Sequence, residues 1–162
     1  MIGDSSDNAQ RRDAGAAATP PGSLSRRVTY LLRRVTDAAG RMANAQLAPL
    51  GIDTRHYTVL AVVTAEPAAS QRSIADTLGL DRATVVALVD VLEEQGLARR
   101  VRSRQDRRVN GVEVTPRGRR VLKRADALME ECEQKFIAAL PLAERKQLTS
   151  MLERLLAFNL RD

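Results

Sequence analysis

Residues 70–115 read SQRSIADTLGLDRATVVALVDVLEEQGLARRVRSRQDRRVNGVEVT, and apolar residues recur at helical spacing on both sides of Gly79. These apolar positions are Ile74, Ala75 and Leu78 before the glycine and Val85, Leu88, Val89 and Leu92 after it. Ser70 and Asp81 stand where N-caps are needed, and Gly96 stands where a helix would end. The stretch therefore predicts two short helices joined by a glycine turn.

Beyond Gly96 the periodicity changes from helical to alternating, which is typical of β-strands. Residues 97–102 and 111–115 predict a two-stranded hairpin whose tip lies at 105–110. Six arginines lie between Arg99 and Arg108. A helix pair followed by an arginine-rich hairpin is the layout of a helix-turn-helix with a basic wing, which reads DNA.

Helical patterns precede this module. Residues 24–50 carry apolar positions at helical spacing and predict a long amphipathic helix. A second helix begins at Asp53 or Thr54, either of which can cap it, and ends before Pro67. The first 23 residues are rich in Ser, Asp, Ala, Gly and Pro without periodicity, so they predict a disordered arm.

Further helices follow the hairpin. Thr115 and Pro116 predict a helix start, with Thr115 as N-cap and proline at the first helical position. Pro141 restarts a last helix that is rich in leucine. The first and last helices are more apolar than a small helix-turn-helix can cover, so we expect a mainly α fold with a small β-hairpin wing and a second subunit. The expected domains are a disordered arm at 1–23, a helical dimerisation domain at 24–50 and 116–162, and a winged helix-turn-helix at 53–115.

The net charge of +6 is unevenly distributed along the chain. Residues 99–124 hold eleven Lys or Arg against Asp106 and Glu113, so the rest of the chain is slightly acidic. A basic patch of this density favours a polyanion, because each neutralised phosphate releases condensed counterions. The alternative is a solvated basic face without a partner.

Several other kinds of site find no support in the residues. The single cysteine, Cys132, excludes an intramolecular disulfide and a cysteine-rich metal site. The single histidine, His56, weakens most acid–base schemes, and no phosphate-binding loop or nucleophile triad is recognisable. No apolar run is long enough to cross a bilayer. We therefore expect a soluble cytoplasmic protein that is not an enzyme and needs no cofactor or metal.

With its elements in this order, the sequence resembles the MarR family of winged helix-turn-helix transcriptional regulators over residues 24–160. The resemblance rests on LAPLGI at 47–52, the helix pair at 70–92, EEQGL at 93–97, DRR at 106–108 and VTPRG at 114–118. It implies an obligate homodimer, built by the first and the last two helices, that binds a pseudo-palindromic operator in double-stranded DNA. It also implies that DNA is released when a small aromatic acid or phenol binds between the dimer helices and the DNA-binding lobe.

The resemblance places the second helix of the pair in the major groove and the wing in an adjacent minor groove. The core stripe of this helix leaves Ala83, Val86, Ala87 and Asp90 facing away from the protein, and Arg82 and Thr84 flank its N-terminal end. Arg82 can fork onto guanine O6 and N7, and Thr84 can bond a phosphate or a base edge. Val86 and Ala87 can meet only a thymine methyl, which leaves hydrogen-bonded readout thin and more specificity to DNA shape. Asp90 would repel phosphate unless it accepts from cytosine N4 or holds an arginine, and we favour the arginine.

Ser70, Gln71 and Arg72 lie at the start of the first helix of the pair. Free backbone N–H groups and the helix dipole suit a phosphate oxygen there, so we expect these residues to contact the DNA backbone. Simple N-capping is the alternative, and for Ser70 the two roles are compatible.

Asp106 stands among the arginines of the predicted wing, an unusual place for a carboxylate that faces DNA. We expect it to organise the tip by pairing with Arg107, Arg108 or turn amides, which orients the remaining guanidinium groups. Arg107 is the first choice for the minor groove, and Arg104 and Arg108 are expected phosphate contacts or substitutes. The alternative is a solvated hairpin.

Arg26, Arg27, Tyr30, His56 and Tyr57 lie in the first two predicted helices, where the resemblance places the ligand pocket. An arginine can anchor a carboxylate, and a histidine or tyrosine can bond a phenol. Each candidate also has a structural alternative. These are core packing for Tyr57, a satisfied histidine for His56 and ion pairs for the arginines.

The leading hypothesis is a dimeric, sequence-specific DNA-binding regulator that represses its own or neighbouring genes until a small ligand binds. A non-specific architectural DNA-binding protein is an alternative, supported by the thin base readout. A redox-switched regulator acting through Cys132 is another. Because Cys132 shares the apolar stripe with Leu128 and Phe136, burial as a small hydrophobe is favoured over that redox role.

Overall fold

A computed structural model of the chain describes residues 22–102 and 110–159, most of them helical. The α-helices are α1 (Gly22–Ser25), α2 (Val28–Leu47), α3 (Thr54–Ala65), α4 (Gln71–Leu78), α5 (Arg82–Glu94), α6 (Pro116–Phe136) and α7 (Leu142–Asn159). A short 3₁₀-helix, Ala48–Leu50, follows α2. The strands are β1 (Ala69–Ser70), β2 (Ala98–Arg102) and β3 (Asn110–Val114). The predicted mainly α fold with a small β wing is confirmed.

The three strands form one antiparallel sheet in the order β1-β3-β2. β2 pairs with β3 from Ala98, which lies opposite Val114. β1 pairs with the other edge of β3, where Ala69 lies opposite Val112. The sequence predicted only the two strands of the hairpin, and that count was wrong because two residues are too few to show a strand periodicity.

The chain divides into two compact units, residues 1–37 and 38–162. In the first unit, one continuous helix was expected from Leu24, but the structure has α1 and then a separate α2. The N–H of Arg27 donates to the Leu24 carbonyl at 3.0 Å, and the hydroxyl of Ser25 donates to the Gly22 carbonyl at 3.0 Å. Bonds of this three-residue spacing close a turn and do not continue an α-helix.

The core of the second unit lies between α3, α5, the sheet and the N-terminal half of α6. The largest fully buried side chains are Leu47, Leu60, Ile74, Leu92, Leu97, Val59, Val63, Val85, Val89 and Val112. Leu122 and Ala125 of α6 belong to the same core. Burying each such leucine, isoleucine or valine side chain stabilises the fold by roughly 1.5–3 kcal/mol, so this shared core fixes the positions of α5 and the wing strands.

Side-chain caps set where the helices of the module begin. In each case the cap accepts a hydrogen bond from the backbone N–H three residues later. The caps are Asp53 for α3 (2.9 Å), Ser70 for α4 (3.1 Å), Asp81 for α5 (2.8 Å) and Thr115 for α6 (3.0 Å). The four predicted helix starts are therefore confirmed, with Asp53 chosen over Thr54.

Several helices expose apolar side chains. α7 has no buried residue. Its exposed large apolar residues are Leu142, Leu148, Met151, Leu152, Leu155, Leu156 and Phe158. Those of α1 and α2 are Leu24, Val28, Leu31, Leu32, Val35 and Met42. Contiguous apolar faces of this kind mark interaction surfaces. In the part of the chain that is described, no helix is both long and apolar enough to cross a membrane.

Gly118 lies where α6 passes the backbone of Leu97, and a Cβ at Gly118 would lie 2.0 Å from the Leu97 carbonyl oxygen. We expect Gly118→Ala to lower the free energy of unfolding by about 1–3 kcal/mol through overpacking. Urea denaturation measures this change. Gly40→Ala in α2 is the control, since a Cβ there meets nothing within 4 Å and alanine favours a helix by about 1 kcal/mol. Equal effects of the two substitutions would contradict the close approach at Gly118.

Candidate nucleic-acid interface

α5 turns one face into the core and presents the opposite face to solvent. Its predicted core positions, Val85, Leu88, Val89 and Leu92, are all buried. The exposed members of the predicted DNA-facing set are Arg82, Ala83, Ala87 and Asp90. Thr84 and Val86 are half-buried. α5 therefore offers a narrow surface with Arg82 at its N-terminal end.

The Thr84 hydroxyl, a predicted phosphate or base contact, is engaged inside the helix start. It donates to Oδ2 of Asp81 at 2.5 Å, while the Thr84 N–H donates to Oδ1 of Asp81 at 2.8 Å. The hydrogen bond from the Thr84 hydroxyl, followed by the one from the Thr84 N–H, holds the pKa of Asp81 below its ordinary value. Thr84 would have to leave Asp81 before it could donate to a phosphate.

Arg100 of β2 makes a cluster of contacts that the sequence did not indicate. Nη2 of Arg100 lies 2.5 Å from Oδ1 of Asp90, and Nη1 lies 2.5 Å from Oε2 of Glu93. The backbone N–H of Arg100 also donates to Oε1 of Glu93 at 3.0 Å. The Gln71 amide, oriented with its oxygen toward Arg100, accepts from Nε and Nη2 at 3.1 Å each. The arginine that we expected beside Asp90 is therefore Arg100.

The electrostatics of this cluster favour the charged forms of Arg100 and Glu93. Partial burial lowers the pKa of Arg100, but the hydrogen bonds and charges of Asp90 and Glu93 outweigh it and raise that pKa above its usual value. The backbone N–H of Arg100, followed by its side chain, holds the pKa of Glu93 below its usual value despite partial desolvation. Strand register is the signal that could have found this cluster, because Arg100 lies opposite the buried Val112 and so shares its inward side.

The residues at the start of α4 are used in different ways. Ser70 accepts the Ser73 N–H as an N-cap, so its alternative structural role is confirmed. Gln71 is turned toward Arg100. The side chain of Arg72 is 86% exposed, with the Asp76 carboxylate 3.9 Å away. Arg72 is therefore the most accessible of the three side chains for a phosphate, and the DNA contact of all three stays a prediction.

The dense positive charge of 99–124 is reduced by pairing within the fold. Arg99 lies opposite Glu113 across the hairpin and donates to its carboxylate at 2.9 Å. Arg100 is paired as described, which leaves Arg102 as the exposed cation at the described end of β2. The predicted wing contacts, Arg104, Asp106, Arg107 and Arg108, lie outside the described residues. Their roles stay predictions.

A second cationic surface, which the sequence-based site did not include, lies on the N-terminal part of α6. Its exposed residues are Arg117, Arg119, Arg120, Lys123 and Arg124. Arg119 donates from Nη1 to the Val114 carbonyl at 2.9 Å, which ties it to β3. Within the residues that the structure describes, none of the ion pairs involves these five side chains. Their charge is thus left for solvent or a partner.

The five predicted ligand-binding residues lie in both compact units. In the first, Arg26 and Arg27 are exposed and Tyr30 is half-buried. The guanidinium of Arg33 lies 5.6 Å from the centre of the Tyr30 ring, a cation–π distance. The ring of Tyr30 therefore already has a cationic neighbour, and the pocket role of these residues stays a prediction.

In the second unit, His56 lies in the first turn of α3, beside the N-cap Asp53. Its Nδ1 lies 3.4 Å from the N–H nitrogen of Asp53, which would need a lone pair on Nδ1, and 2.6 Å from Oδ1 of Asp53, which would need a proton. The shorter contact favours the proton. Nε2 of His56 is buried and has no hydrogen-bond partner among the described residues. The histidine is therefore satisfied at one nitrogen only.

Tyr57 combines core packing with a polar contact. Its ring packs against the hydrophobic core, and its hydroxyl donates to Oδ1 of Asp126 on α6 at 3.0 Å. Burial, followed by the hydrogen bond and the charge of Asp126, raises the pKa of Tyr57 above its ordinary value of 10.0. Because the raised pKa favours neutral tyrosine, this contribution to stability is complete below pH 10.0 and is lost as pH rises through the folded-state pKa.

An alkaline titration of tyrosinate absorbance tests this environment. We expect a component that titrates above pH 10.0 and disappears in Tyr57→Phe. Asp126→Asn should lower this titration only partly, because burial is the largest cause of the shift. Tyr30→Phe is the matched control, and the high component should survive it. A Tyr57 that titrates at its ordinary value would contradict its partial burial and its hydrogen bond to Asp126.

Comparison with known proteins agrees with this architecture. A family model described as MarR family matches residues 50–109. A protein of Thauera aromatica, named as the transcriptional regulatory protein for the hcr operon, is 35% identical over 135 residues, which are 83% of this chain and 81% of that protein. An HTH-type transcriptional repressor of Mycobacterium tuberculosis is 27% identical over 78% of this chain and 91% of its own length.

A solved structure shows the same fold with DNA. The transcriptional repressor CouR, bound to a 23-mer DNA duplex, superposes with a TM-score of 0.78 and 33% identity, over 85% of this chain and 97% of CouR. CouR from Rhodococcus jostii RHA1 bound to p-coumaroyl-CoA superposes with a TM-score of 0.72 and 30% identity, over 83% of this chain and 95% of CouR. These relatives are regulators and not enzymes. The chain belongs to the MarR family of winged helix-turn-helix transcriptional regulators.

Proposed function

We propose that the protein is a homodimeric repressor that binds a pseudo-palindromic operator through two copies of α5 and releases it when a small ligand binds. The proposal rests on which side chains of α5 are buried and which are exposed. Its core face is fully buried, while its opposite face is open, and Asp90, the acidic residue of the predicted DNA-facing set, is paired with Arg100. A helix held in this way can enter a major groove without the charge of Asp90 standing unpaired against the phosphates.

The proposed dimer follows from the apolar residues of α7, which the described residues leave exposed. An obligate homodimer buries an interface of about 2,000 Å² or more that is rich in such residues. Two-fold symmetry would then set two α5 helices about 34–36 Å apart, so that they meet successive major grooves on one side of the duplex. The cationic surface of α6 and the exposed Arg72 would add sequence-independent attraction.

We assign base readout to a small set of residues. Arg82 is exposed at the start of α5 and has no ion-pair partner among the described residues, so its guanidinium is available for a guanine. Ala83 and Ala87 are exposed and fit thymine methyl groups. Arg107 of the wing is assigned to the minor groove from its sequence position beside Asp106.

The proposed effector is a small aromatic acid or phenol. CouR, a relative, has been solved with p-coumaroyl-CoA, which carries a phenol. In this chain, Nε2 of His56 is buried without a hydrogen-bond partner among the described residues, which supports a polar ligand beside α3. Arg27 and Tyr30 stay candidates because a cation and an aromatic ring are groups that an aromatic acid can bind. The wider candidate set is unchanged and includes Arg26 and Tyr57.

Two other functions compete with operator binding. A non-specific architectural role is favoured by one observation, the exposed Ala87 and half-buried Val86 where hydrogen-bonding readers would serve better. A redox switch is disfavoured because Cys132 is only 5% exposed on α6, which limits access of an oxidant. Binding selectivity therefore separates the remaining possibilities.

Selection of duplexes from a random-sequence pool tests specific binding. We expect the protein to enrich a palindromic sequence with two half-sites about one helical turn apart, and its affinity to fall steeply with salt. Arg82→Ala should relax base preference at one position of each half-site at a cost of about 1–3 kcal/mol. Arg104→Ala should weaken all duplexes alike and flatten the salt dependence.

The outcomes of this selection are distinct. An unenriched pool bound with uniform affinity would identify the architectural function. If Arg82→Ala and Arg104→Ala changed affinity and base preference in the same way, the division between a base reader and a phosphate contact would be wrong.

Sedimentation equilibrium tests the dimer. Leu155→Glu places a charge in the exposed apolar face of α7, so we expect it to shift the protein toward a monomer and to weaken binding to a two-half-site duplex. Ser150→Glu introduces the same charge on the other side of α7, where we expect no change in assembly. A Leu155→Glu protein that remains dimeric at micromolar concentration would remove α7 from the interface.

A further inference from the structure

Arg100 links three elements of the winged helix-turn-helix, namely α4, α5 and β2. Its guanidinium contacts Gln71 at the start of α4, and both Asp90 and Glu93 on α5, from its own place in the wing strand β2. Its backbone N–H is also held by Glu93, so the strand as well as the side chain is attached to α5. In the described part of the chain, no other arginine joins these three elements.

This arginine is poorly suited to touch DNA itself. Its side chain is 26% exposed, against 66% for the neighbouring Arg99. A guanidinium has five N–H donors, and four of those of Arg100 have acceptors on Gln71, Asp90 and Glu93. A phosphate would find one free donor and two carboxylates beside it.

The two carboxylates depend on Arg100 in turn. Asp90 and Glu93 are three residues apart, which places them side by side on the surface of α5. Without the guanidinium they would repel each other, and Asp90 on the exposed face would repel an approaching phosphate backbone. The planar fork of arginine satisfies both in fixed directions, which a lysine ammonium does not. The contacts therefore define an angle between β2 and α5, in addition to neutralising charge.

We propose that Arg100 is a positioning residue for DNA recognition, which sets the wing strands and the start of α4 at a fixed angle to α5. This inference rests on the proposed operator binding, because it concerns how α5 and the wing meet two grooves at once. Preorganisation of this kind strengthens specific binding, in which all elements must fit together. Non-specific binding depends on total charge and tolerates a loosened wing.

A distance measurement tests the positioning without DNA. Spin labels are attached to Ala87→Cys and Arg102→Cys in a Cys132→Ala background, and the interspin distance distribution is recorded. We expect a narrow distribution that broadens in Arg100→Met and broadens less in Arg100→Lys, which keeps the charge and one ion pair. Arg99→Met, which also removes a paired arginine from β2, should leave the distribution narrow. A distribution that stays narrow in Arg100→Met would overturn the proposal.

Binding measurements test the consequence for recognition. The probes are the duplex that the wild-type protein enriches from a random pool and a random-sequence duplex of equal length. We expect Arg100→Met and Asp90→Asn each to lose about tenfold or more affinity for the selected duplex and less than about twofold for the random one. Asp90→Asn distinguishes positioning from electrostatics most clearly. If charge alone mattered, removing a negative charge near DNA should strengthen binding. Asp76→Asn, an exposed carboxylate of α4 outside the cluster, is the control and should tighten both probes slightly.

Each result that contradicts the proposal leads to a different conclusion. Equal losses on both duplexes with a salt slope smaller by about 1 would make Arg100 a phosphate contact. Tighter binding of Asp90→Asn to the selected duplex would mean that the cluster affects DNA binding through its charge alone. If the wild-type protein enriches no sequence, the operator proposal fails, while the distance distribution still decides the positioning. If Arg100→Met does not fold, both measurements are made on Arg100→Lys instead. An unchanged interspin distance distribution and unchanged affinity in that folded variant would overturn the proposal.

Discussion

The structure depends on the burial of one side of α5. Four apolar residues at helical spacing, Val85, Leu88, Val89 and Leu92, insert into a core shared with α3, the sheet and α6. Once that stripe is buried, the rotation of the helix about its own axis is fixed, and so is the set of side chains that remains outside. The exposed surface of α5 therefore consists of the side chains that are left outside this core. Residues such as Arg82 and Asp90 reach solvent because the apolar residues on the opposite side of the helix are held in the core.

The positive charge that this protein can offer a partner is the charge that its own ion pairs do not neutralise. The stretch 99–124 has a large formal excess of cations, yet Arg99 neutralises Glu113 and Arg100 is shared by two carboxylates of α5. Among the described residues, the cations left for a polyanion are those at the end of β2 and on α6. Net charge read from sequence identifies the class of partner, and only contacts show which arginines remain for it.

Much of the module could be predicted from sequence because its signals are local. Caps such as Asp81 and Thr115 act within three residues, and the stripe of α5 repeats at a regular interval, so both were confirmed. The strand β1 could not be predicted, since two residues carry no period and their pairing with β3 closes a loop of about forty residues.

The candidate site shows the same division between local and distant signals. Exposure of Arg82 follows from helix geometry, whereas the partners of Arg100 and Tyr57 come from other elements of the fold. The contact between Tyr57 and Asp126 joins α3 to α6, and no spacing in the sequence brings these residues together. Contacts of this kind depend on how helices and strands pack, which local patterns do not encode.

The close approach of Gly118 to Leu97 has a mechanical consequence. The Thr115 hydroxyl is bonded to the Gly96 carbonyl at 2.7 Å and the Thr115 N–H to the Leu97 carbonyl at 3.0 Å, so the first turn of α6 is clamped to the base of the wing. Twenty-one residues of helix extend from this clamp, a rigid rod of about 32 Å. A tilt of roughly 5° about the clamp would move the far end by about 3 Å, given the rod length of an α-helix. The direction of α6 is therefore set at the base of the wing, so the position of its C-terminal end depends on the contacts of Thr115 and Gly118.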